Sequence, residues 1–571
     1  MKKYTFLTMI LCTLFSCKYM DEVPYDWAQP QDVFSMEQNY ERPINQAYSY
    51  LKGGYTRVGG AFLEAATDDG MSTINNSSVH RLSRGYINSN SPVESCWDAS
   101  YQGIRQALFV QKNLAEIDLV LNNKTAQDVL AIKNIYSGEM YALRTWYEFD
   151  LLRHYGGYPI ISKHYQLGDP ELADKGRASF ADCVQNIVNL CDSAAKYLDV
   201  TPIGGTGGFG RMTRGAALAI KAKTLVFAAS PLFNQSNNSN PVLGYVGAAN
   251  GQARWEAAAE ACAAVINLKN ASNVAVYTLA ANYANLFTTS PNTEFIVFVG
   301  AAKTNTLENR QFPPTLSRNS GGGTVPTQEF ADAFTLANGT DYVRGSLATQ
   351  YTGRDPRFVA IMGFDNSRYG TKAVYTRLGQ GETIDGLNIT PERSTNTGYY
   401  LKKFLDMNVD FTRATPATAF HIFPLIRYAD ILLLYAESMN EAYGPDADPK
   451  GFGLNAKTAV QRVRTRAGFN TSDRFLEGIA TTSAMRDKIK QERRIELSFE
   501  EQRYFDLRRW MDGDKLNIPV TGINIQAANN VLTESYFIVD ALRKFENRMY
   551  LHPIPLQETM ISPKITQNPG W

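Results

Sequence analysis

Two pairs of adjacent carboxylates are the side chains of this 571-residue sequence that could most readily perform acid–base chemistry. They are Asp68-Asp69 and Glu500-Glu501. A glycoside hydrolase needs two carboxyl groups that face each other across the scissile bond, whereas sequence neighbours generally point in different directions. Neither pair is therefore a catalytic pair by itself. Acids that are separated in the sequence could still meet in the fold.

A second set of charges lies within a C-terminal segment that is apolar on nearly every face. Arg427, Asp430 and Glu437 are spaced three and seven residues apart there. Charges on a buried segment need partners, because an unpaired charge in the protein interior is costly. The candidate partners are Arg493, Arg494, Glu496, Glu500, Arg503, Asp506, Arg508 and Arg509. We expect the charges of this segment and of the segment that holds the candidate partners to form structural ion pairs rather than to catalyse a reaction.

Three kinds of sequence motif were candidates for binding or catalysis, but the residues around them do not fit. Residues 205–210 fit G-x-G-x-x-G, but the dinucleotide fingerprint needs a preceding strand, and here a helix and Thr201-Pro202 come first. Residues 446–451 begin like a calcium loop, but Lys450 and Lys457 stand where an acceptor and a bidentate Glu are needed. The five histidines have no metal-ligand spacing, and no G-x-S-x-G elbow is present. We expect no metal, cofactor or esterase nucleophile.

The charge balance excludes another class of function. Lys and Arg total 57 and Asp and Glu total 56, so the formal net charge is +1. Proteins that bind nucleic acid through its phosphates normally carry a marked basic excess. We therefore expect no nucleic-acid partner. Aromatic residues, at 12%, are the one compositional excess.

The N-terminus predicts export and a lipid anchor. Two lysines precede an apolar stretch, residues 4–15, which is long enough for a signal peptide and too short to span a bilayer. Ser16-Cys17 directly follows the stretch. This sequence resembles the lipobox of bacterial lipoproteins and makes Cys17 the expected lipidation site. Two or more acyl chains would give stable membrane attachment. An ordinary secretory peptide with an incidental cysteine is the alternative.

Helices dominate the predicted secondary structure, because apolar residues recur at helical spacing. The predicted helices span residues 104–115, 132–151, 179–198, 213–229, 254–268, 425–442, 455–467 and 484–499. Trp97 and Tyr101 share the apolar face of Ile104, so we assign both to the core. Antiparallel helix pairs joined by short loops resemble tetratricopeptide-like repeats, although no regular 34-residue period is present.

The region from 270 to 420 has a different character. Gly, Thr, Asn and Pro are frequent there, and short apolar runs such as 295–299 predict small strands between long loops. Long loops often carry function. We therefore expect a loop-rich insertion between two helical blocks.

Four C-terminal segments carry the most specific sequence pattern of the chain: Ile426–Asp430 to Glu441-Ala442, Val463–Gly468, Glu492–Glu500 and Arg503–Trp510. They resemble the SusD/RagB family of outer-membrane nutrient-binding lipoproteins. Supporting matches are Thr67–Asp69, Trp97 with Tyr101, Leu143-Arg144, Tyr155–Pro159, Gly210-Arg211, Asp355–Phe358, and the tail from Pro553 through Gly570. The resemblance thus extends over most of the chain, and the lipobox agrees with it.

The resemblance implies a mainly α fold: a tetratricopeptide-like scaffold with loop-rich insertions and a few short strands. It implies a signal peptide at 1–16, an N-terminal helical region at 17–235 and a C-terminal region at 236–571, with the insertion at about 270–420. It also implies a lipid-anchored protein at the outer face of the outer membrane, packed as a lid over a SusC-like TonB-dependent transporter. Asp21-Glu22 resemble, weakly, the signal that sends some lipoproteins to the cell surface.

Family members that bind glycan tend to use loops after the Thr-Asp-acidic motif and after the Glu-x-Ile strand, here Glu294–Ile296. Sugar faces stack on aromatic rings while hydroxyls bond to polar side chains. This chain has no Trp just after Asp69 or between 301 and 325. The candidate ligand-binding residues are Asp68, Asp69, Asn75, Asn76, His80, Arg81, Tyr86, Arg310, Phe312, Tyr399 and Tyr400. Solvated loop residues with no ligand are the alternative.

The leading hypothesis is a non-catalytic surface lipoprotein that captures an oligosaccharide and delivers it to the transporter. Some members of the family capture peptides, and a peptide ligand is the first alternative. The second is a surface glycoside hydrolase whose acids meet only in three dimensions. The third is a helical scaffold that binds only the transporter.

Overall fold

A computed structural model describes residues 29–166, 168–248, 250–300, 302–318 and 321–571. The expected signal peptide, the Cys17 anchor and Asp21-Glu22 lie outside the described residues. Among the helices that the structure describes, none combines the length and the apolar character needed to cross a bilayer.

Eighteen α-helices are described. They are α1 (Pro30–Phe34), α2 (Glu41–Tyr48), α3 (Ser78–Ser83), α4 (Trp97–Glu116), α5 (Ala126–Tyr155), α6 (Pro170–Ala173), α7 (Phe180–Tyr197), α8 (Arg214–Ala229), α9 (Gly251–Ile266), α10 (Thr306–Gln311), α11 (Gln328–Ala333), α12 (Leu347–Gln350), α13 (Phe358–Ile361), α14 (Tyr428–Tyr443), α15 (Ala456–Ala467), α16 (Thr482–Glu496), α17 (Gln502–Arg509) and α18 (Leu556–Ile561). Short 3₁₀ helices are Leu63–Ala66, Gly205–Gly208, Pro231–Phe233, Val246–Ala248, Leu286–Thr288, Gly513–Asn517 and Asn547–Tyr550.

Eleven strands complete the described elements, and most of them are short. They are β1 (Gly70–Ser72), β2 (Phe295–Gly300), β3 (Thr324–Pro326), β4 (Met362–Gly363), β5 (Ser367–Tyr369), β6 (Lys372–Val374), β7 (Leu378–Gly379), β8 (Tyr400–Leu401), β9 (Ile422–Arg427), β10 (Val520–Ala528) and β11 (Val531–Asp540). Strand β10 pairs with β11 and with β7, whereas β1–β3, β2–β9, β4–β8 and β5–β6 are separate antiparallel pairs.

The long helices form a series in which each packs against the next. Helix α4 packs on α5, α5 on α7, α7 on α8, α8 on α9, α9 on α14, and α14 on α15 and α16. Several of these helices begin at a side chain that caps the first turn: Thr125 accepts from the backbone N–H of Asp128, and Ser179 accepts from that of Asp182. The mainly helical prediction is confirmed.

The loop-rich segment is inserted between α9 and α14, which nevertheless pack against each other. The predicted strand at 295–299 is confirmed as β2, and it pairs with β9. The expected helix at 425–442 is wrong at its start. Ile422–Arg427 forms the extended strand β9, and the helix begins only at Tyr428. Pairing with β2 decides the conformation there.

The core runs through the helical series. Helix α14 is buried over almost its whole length, as its apolar sequence predicts. Trp97 is 3% exposed, and its ring centroid lies 5.0 Å from that of Tyr101 and 5.2 Å from that of Tyr155. The assignment of Trp97 to the core is confirmed, and Tyr101 is partly buried beside it.

Candidate ligand-binding site

The charges of the C-terminal block form buried ion pairs, as the sequence predicts. The Arg427 guanidinium donates from Nη1 to Glu294 Oε1 at 2.6 Å and to Glu496 Oε1 at 2.7 Å, and from Nε to Glu500 Oε2 at 2.7 Å. Burial alone would raise the pKa of Glu496, but Arg466, Arg427 and Arg357 outweigh it and lower that pKa to about 2. We name this network the arginine core: Arg357, Arg427, Arg464, Arg466, Glu294, Glu492, Glu496 and Glu500.

The neighbouring charges of α14 are paired in the same way. Asp430 accepts from Lys223 Nζ at 2.6 Å and from Arg493 Nη1 at 2.9 Å. Glu437 accepts from Arg509 and from Trp510 Nε1 at 2.7 Å. Arg508 was also an expected ion-pair partner, but it donates to backbone carbonyls instead. Its guanidinium lies 3.5 Å from the ring centroid of Tyr504.

The first carboxylate pair joins this structural system. Arg503 donates to both oxygens of Asp68, at 2.9 and 2.7 Å, while Arg494 Nε donates to Asp69 Oδ1 at 2.6 Å. Burial acts to raise the pKa of Asp68, but Arg494 and Arg503 outweigh it and hold the pKa below its usual range. Asp69 is completely buried. Asp69 therefore has no face for a ligand, which corrects its place among the candidate residues.

Asp68 keeps some contact with solvent. Its side chain is 14% exposed and borders a cavity of about 250 Å³. Glu329, Arg494 and Arg503 also line this cavity. The guanidinium groups of Arg494 and Arg503 hold the Asp68 carboxylate, so its main role is structural.

The second carboxylate pair is also buried. Glu500 accepts from Lys403 Nζ at 2.6 Å in addition to Arg427. Glu501 pairs with Arg57, and burial outweighs this attraction and raises its pKa to about 6. Both side chains are shielded, at 2% and 3% exposure. Neither can reach a saccharide at the protein surface.

The two loops that the sequence singles out are brought together by a small strand pair. Strands β1 and β3 are antiparallel, with Gly70 opposite Pro326 and Ser72 opposite Thr324. Beyond the pair, Thr73 N donates to the Gly323 carbonyl at 2.9 Å. The segment after Asp69 therefore lies beside the segment after α10.

A third segment joins these two loops. The Thr73 hydroxyl donates to the Glu392 carbonyl at 2.9 Å, and Asn75 N donates to Glu392 Oε1 at 3.2 Å. This segment is not among the loops predicted from the sequence, although Pro391 and the Thr, Ser and Asn residues around it are a turn signal.

A tight turn forms the fourth part. Val58 and Ala61 exchange backbone hydrogen bonds around Gly59 and Gly60, which have φ of +56° and +81°. A Cβ on Gly60 would collide with the guanidinium of Arg310. The Ser77 hydroxyl donates to the Gly59 carbonyl at 3.3 Å. We name these four segments the loop cluster: residues 57–61, 73–78, 309–318 with 321–323, and 388–396.

Several predicted residues lie in or next to the loop cluster with polar groups in solvent. Asn75 and Asn76 are exposed, and Arg310 is half-buried. Arg81 and Tyr86 are exposed on the continuation of the first loop, where Arg81 Nη2 donates to Ser91 Oγ at 2.9 Å. His80 is buried, and its Nε2 lies 3.1 Å from the Ile74 carbonyl. His80 therefore stabilises the first loop from the protein interior.

Three aromatic candidates are core residues instead. Phe312 is 2% exposed and packs edge-on against Tyr369. Tyr399 and Tyr400 are fully buried, and their hydroxyls donate to Gln328 Oε1 and to the Asp385 carbonyl, both at 2.8 Å. These rings offer no face for stacking on a sugar, because protein atoms cover them. This corrects the expectation that they line a pocket.

One buried group within the described ranges offers donor atoms of the kind that hold metals. The ligand atoms of Cys96, Asp150 and His154 lie within 4.8 Å of one another. Arg153 already donates to Asp150 Oδ1 at 2.7 Å, and His154 Nδ1 lies 2.7 Å from the Asp150 backbone carbonyl. Burial also raises the pKa of the Cys96 thiol well above its usual value, which disfavours the thiolate that metals bind. The cluster fits a structural role better than a metal site.

A larger groove, of about 800 Å³, lies away from the candidate residues. It runs between the end of α9, the start of α14 and one face of α15. It is lined by Ile266, Asn267, Lys269, Ala275, Tyr277, Thr278, Leu279, Tyr428, Leu432, Thr458, Gln461, Arg462, Thr465 and Arg466.

Two family models match separate parts of the chain. Residues 284–571 match the SusD family, and residues 18–225 match a model described as starch-binding associating with outer membrane. The chain belongs to the SusD family.

Individual relatives agree with this assignment. SusD-like protein P2 from Formosa agariphila is 30% identical over 151 residues, which are 26% of this chain and 25% of the relative. SusD-like protein P25 from the same organism is 28% identical over 144 residues, 25% of this chain and 23% of the relative. The matched segment thus spans about a quarter of each curated relative.

Solved structures share the fold over almost the full length. A SusD-like protein from Bacteroides fragilis is 24% identical, with 95% of this chain and 100% of that chain covered and a TM-score of 0.75. A laminarin binding SusD-like protein is 20% identical, with 94% and 100% covered and a TM-score of 0.63. At these identities the likeness establishes the SusD-like fold.

Proposed function

We propose that this protein captures a glycan at the loop cluster and releases it chemically unchanged to a SusC-like transporter at the outer membrane. The observation that carries the proposal is the convergence of four loop segments around exposed amide and guanidinium groups. Such groups match the hydroxyls of a saccharide. Membership of the SusD family, with its starch-binding model over the N-terminal half, supports the same ligand class.

Binding calorimetry on a panel of oligosaccharides tests this proposal. We expect saturable binding by the wild type and a loss of at least tenfold in the double variant Asn75→Ala/Asn76→Ala, because hydrogen bonds to exposed amides are removed. Asn189→Ala, which changes an exposed amide on α7, is the matched control and should bind like the wild type. Clear binding of peptides with no glycan binding would move the assignment to the peptide-capturing alternative.

The absence of catalysis is part of the proposal. The two carboxylate pairs Asp68-Asp69 and Glu500-Glu501 form ion pairs with Arg and Lys side chains. A general acid or nucleophile must reach the glycosidic bond, but Asp69, Glu500 and Glu501 are buried and Asp68 is held by Arg494 and Arg503. We expect no product when the bound oligosaccharide is incubated with the protein and analysed by chromatography. Release of shorter saccharides would favour the hydrolase alternative.

The anchor and the partner are tested separately. A Cys17→Ala variant should leave the membrane fraction and lose radiolabelled palmitate, because the covalent lipid supplies the attachment. An affinity-tagged wild-type protein should co-purify a large outer-membrane transporter. Co-purification without any affinity for saccharides would favour a scaffold that binds only the transporter.

A further inference from the structure

Arg310 differs from the arginines of the arginine core, because it has no ion-pair partner among the residues that the structure describes. It lies on α10 at the edge of the loop cluster, half-buried, with its guanidinium packed over Gly60. Its Nε is buried and has no hydrogen-bond acceptor within the described ranges. Burial is the cause of its lowered pKa, and no carboxylate in the described part of the chain acts against it.

The carboxylates of α10 and of the third loop segment bond to groups other than Arg310. Glu308, two residues earlier on α10, is fully buried; its Oε1 lies 2.7 Å from His421 Nε2 and accepts from Asp406 N at 2.9 Å, while its Oε2 has no hydrogen-bond partner among the described residues. Glu392 accepts from Asn75 N at 3.2 Å. A cation that is partly removed from water without a counter-charge costs free energy. The cost is recovered when a ligand supplies the missing anion.

We propose that the glycan bound at the loop cluster is anionic, and that Arg310 receives its carboxylate or sulfate group while Asn75 and Asn76 contact neighbouring hydroxyls. This inference rests on the proposed function. A guanidinium presents parallel N–H donors that match either anion with two hydrogen bonds. The packing over Gly60 restricts the guanidinium, so less conformational freedom is lost on binding.

Matched pairs of saccharides test the inference. Oligogalacturonate and its carboxyl-reduced counterpart share the same backbone, but the second carries a neutral hydroxymethyl group in place of each carboxylate. A sulfated oligosaccharide and its desulfated counterpart form the second pair. Calorimetry should show tighter binding of the charged member in at least one pair, and that pair distinguishes a carboxylate from a sulfate. The affinity of the charged member should fall as salt is raised, because the contact is electrostatic.

Variants at Arg310 assign the effect to this side chain. Arg310→Gln should weaken the charged saccharide about tenfold to a hundredfold and leave the neutral one unchanged, because a charge-assisted hydrogen bond is lost. Arg310→Lys should recover part of the affinity. Arg105→Gln, which removes an exposed cation on α4, is the control and should change neither.

The outcomes separate the inference from the proposed function. Equal or tighter binding of the neutral members, with normal glycan affinity, would overturn the anionic ligand and keep the glycan function. Equal weakening of both members by Arg310→Gln would also overturn it. Binding of neither pair nor of any other saccharide would contradict the proposed function itself. Loss of acidic-peptide binding alone in Arg310→Gln would reassign Arg310 to a peptide.

Discussion

The arginine core and the loop cluster use the same side-chain chemistry with opposite results. Arg427 is fully buried and meets Glu294, Glu496 and Glu500, whereas Arg310 is half-buried and meets no carboxylate within the described ranges. A satisfied buried guanidinium holds its surroundings in one arrangement. An unsatisfied one at a surface is available to a ligand. In this protein, a charged side chain therefore indicates a binding function when it lacks an ion-pair partner. Its residue type alone does not.

The largest expected effect is on the stability supplied by the arginine core. Arg427→Met should reduce the free energy of unfolding by about 3–5 kcal/mol, because removing one partner leaves buried carboxylates unpaired. Denaturant unfolding followed by circular dichroism measures the loss. Arg413→Met, whose side chain is 75% exposed, is the control and should stay within about 0.5 kcal/mol. Equal effects of the two substitutions would remove the distinction between the regions.

Acid should act on a carboxylate of the arginine core, Glu496, and on Glu501, which pairs with Arg57 outside that network. The pKa of Glu496 is about 2 in the folded protein, below its ordinary 4.5, so it contributes about 3 kcal/mol above pH 5 that is lost as pH falls toward 2. The pKa of Glu501 is about 6, above its ordinary value, so its contribution instead grows as pH falls from 6 to about 4.5. We expect the free energy of unfolding to peak near pH 5. A steady decrease from pH 7 downward would contradict the role of Glu501.

A smaller effect is expected at Gly54, which precedes the first segment of the loop cluster. A Cβ at Gly54 would overlap the Phe423 ring and the Glu501 carboxylate. Gly54→Ala should therefore cost about 1–3 kcal/mol by overpacking. Gly207→Ala is the matched control, because no atom lies within 4 Å of the added Cβ. Thermal unfolding compares the two, and an unchanged Gly54→Ala protein would show that the core relaxes freely.

The smallest effect on stability is expected at Arg310. Arg310→Gln should change the free energy of unfolding by no more than about 0.5 kcal/mol, because no ion pair is broken. A loss comparable to that of Arg427→Met would show that Arg310 has a structural partner, and the contrast between the two regions would fail.

Much of the helical frame follows from the sequence. The predicted helices at 179–198, 213–229 and 455–467 match Phe180–Tyr197, Arg214–Ala229 and Ala456–Ala467 closely, because strong periodicity and capping residues agree there. The start of α14 was predicted too early, since pairing with β2 is a tertiary contact that periodicity does not reveal.

The long β10/β11 hairpin was missed, although the sequence contains its signal. Asn529 and Asn530 both have positive φ, as a two-residue hairpin turn requires, and alternating apolar residues flank them. An Asn-Asn turn between such segments is a recognisable hairpin pattern.

The candidate site is only partly readable from sequence. The two loops were identified, and the β1–β3 pair shows why they meet. Tyr399 and Tyr400 were misplaced, because residue type does not tell a buried tyrosine from an exposed one. The third segment around Glu392 could not be found from spacing, since it reaches Asn75 across more than 300 residues.

The ion pairs of Asp68 and Asp69 constrain how the chain acquires its structure. Their partners Arg494 and Arg503 follow more than 420 residues later in the sequence. A polypeptide made from its N-terminus cannot neutralise these acids until nearly all of it has emerged, and contacts of such long separation form slowly. The unit that folds is therefore the nearly complete polypeptide, and a fragment that ends before Arg494 would keep this part of its interior open.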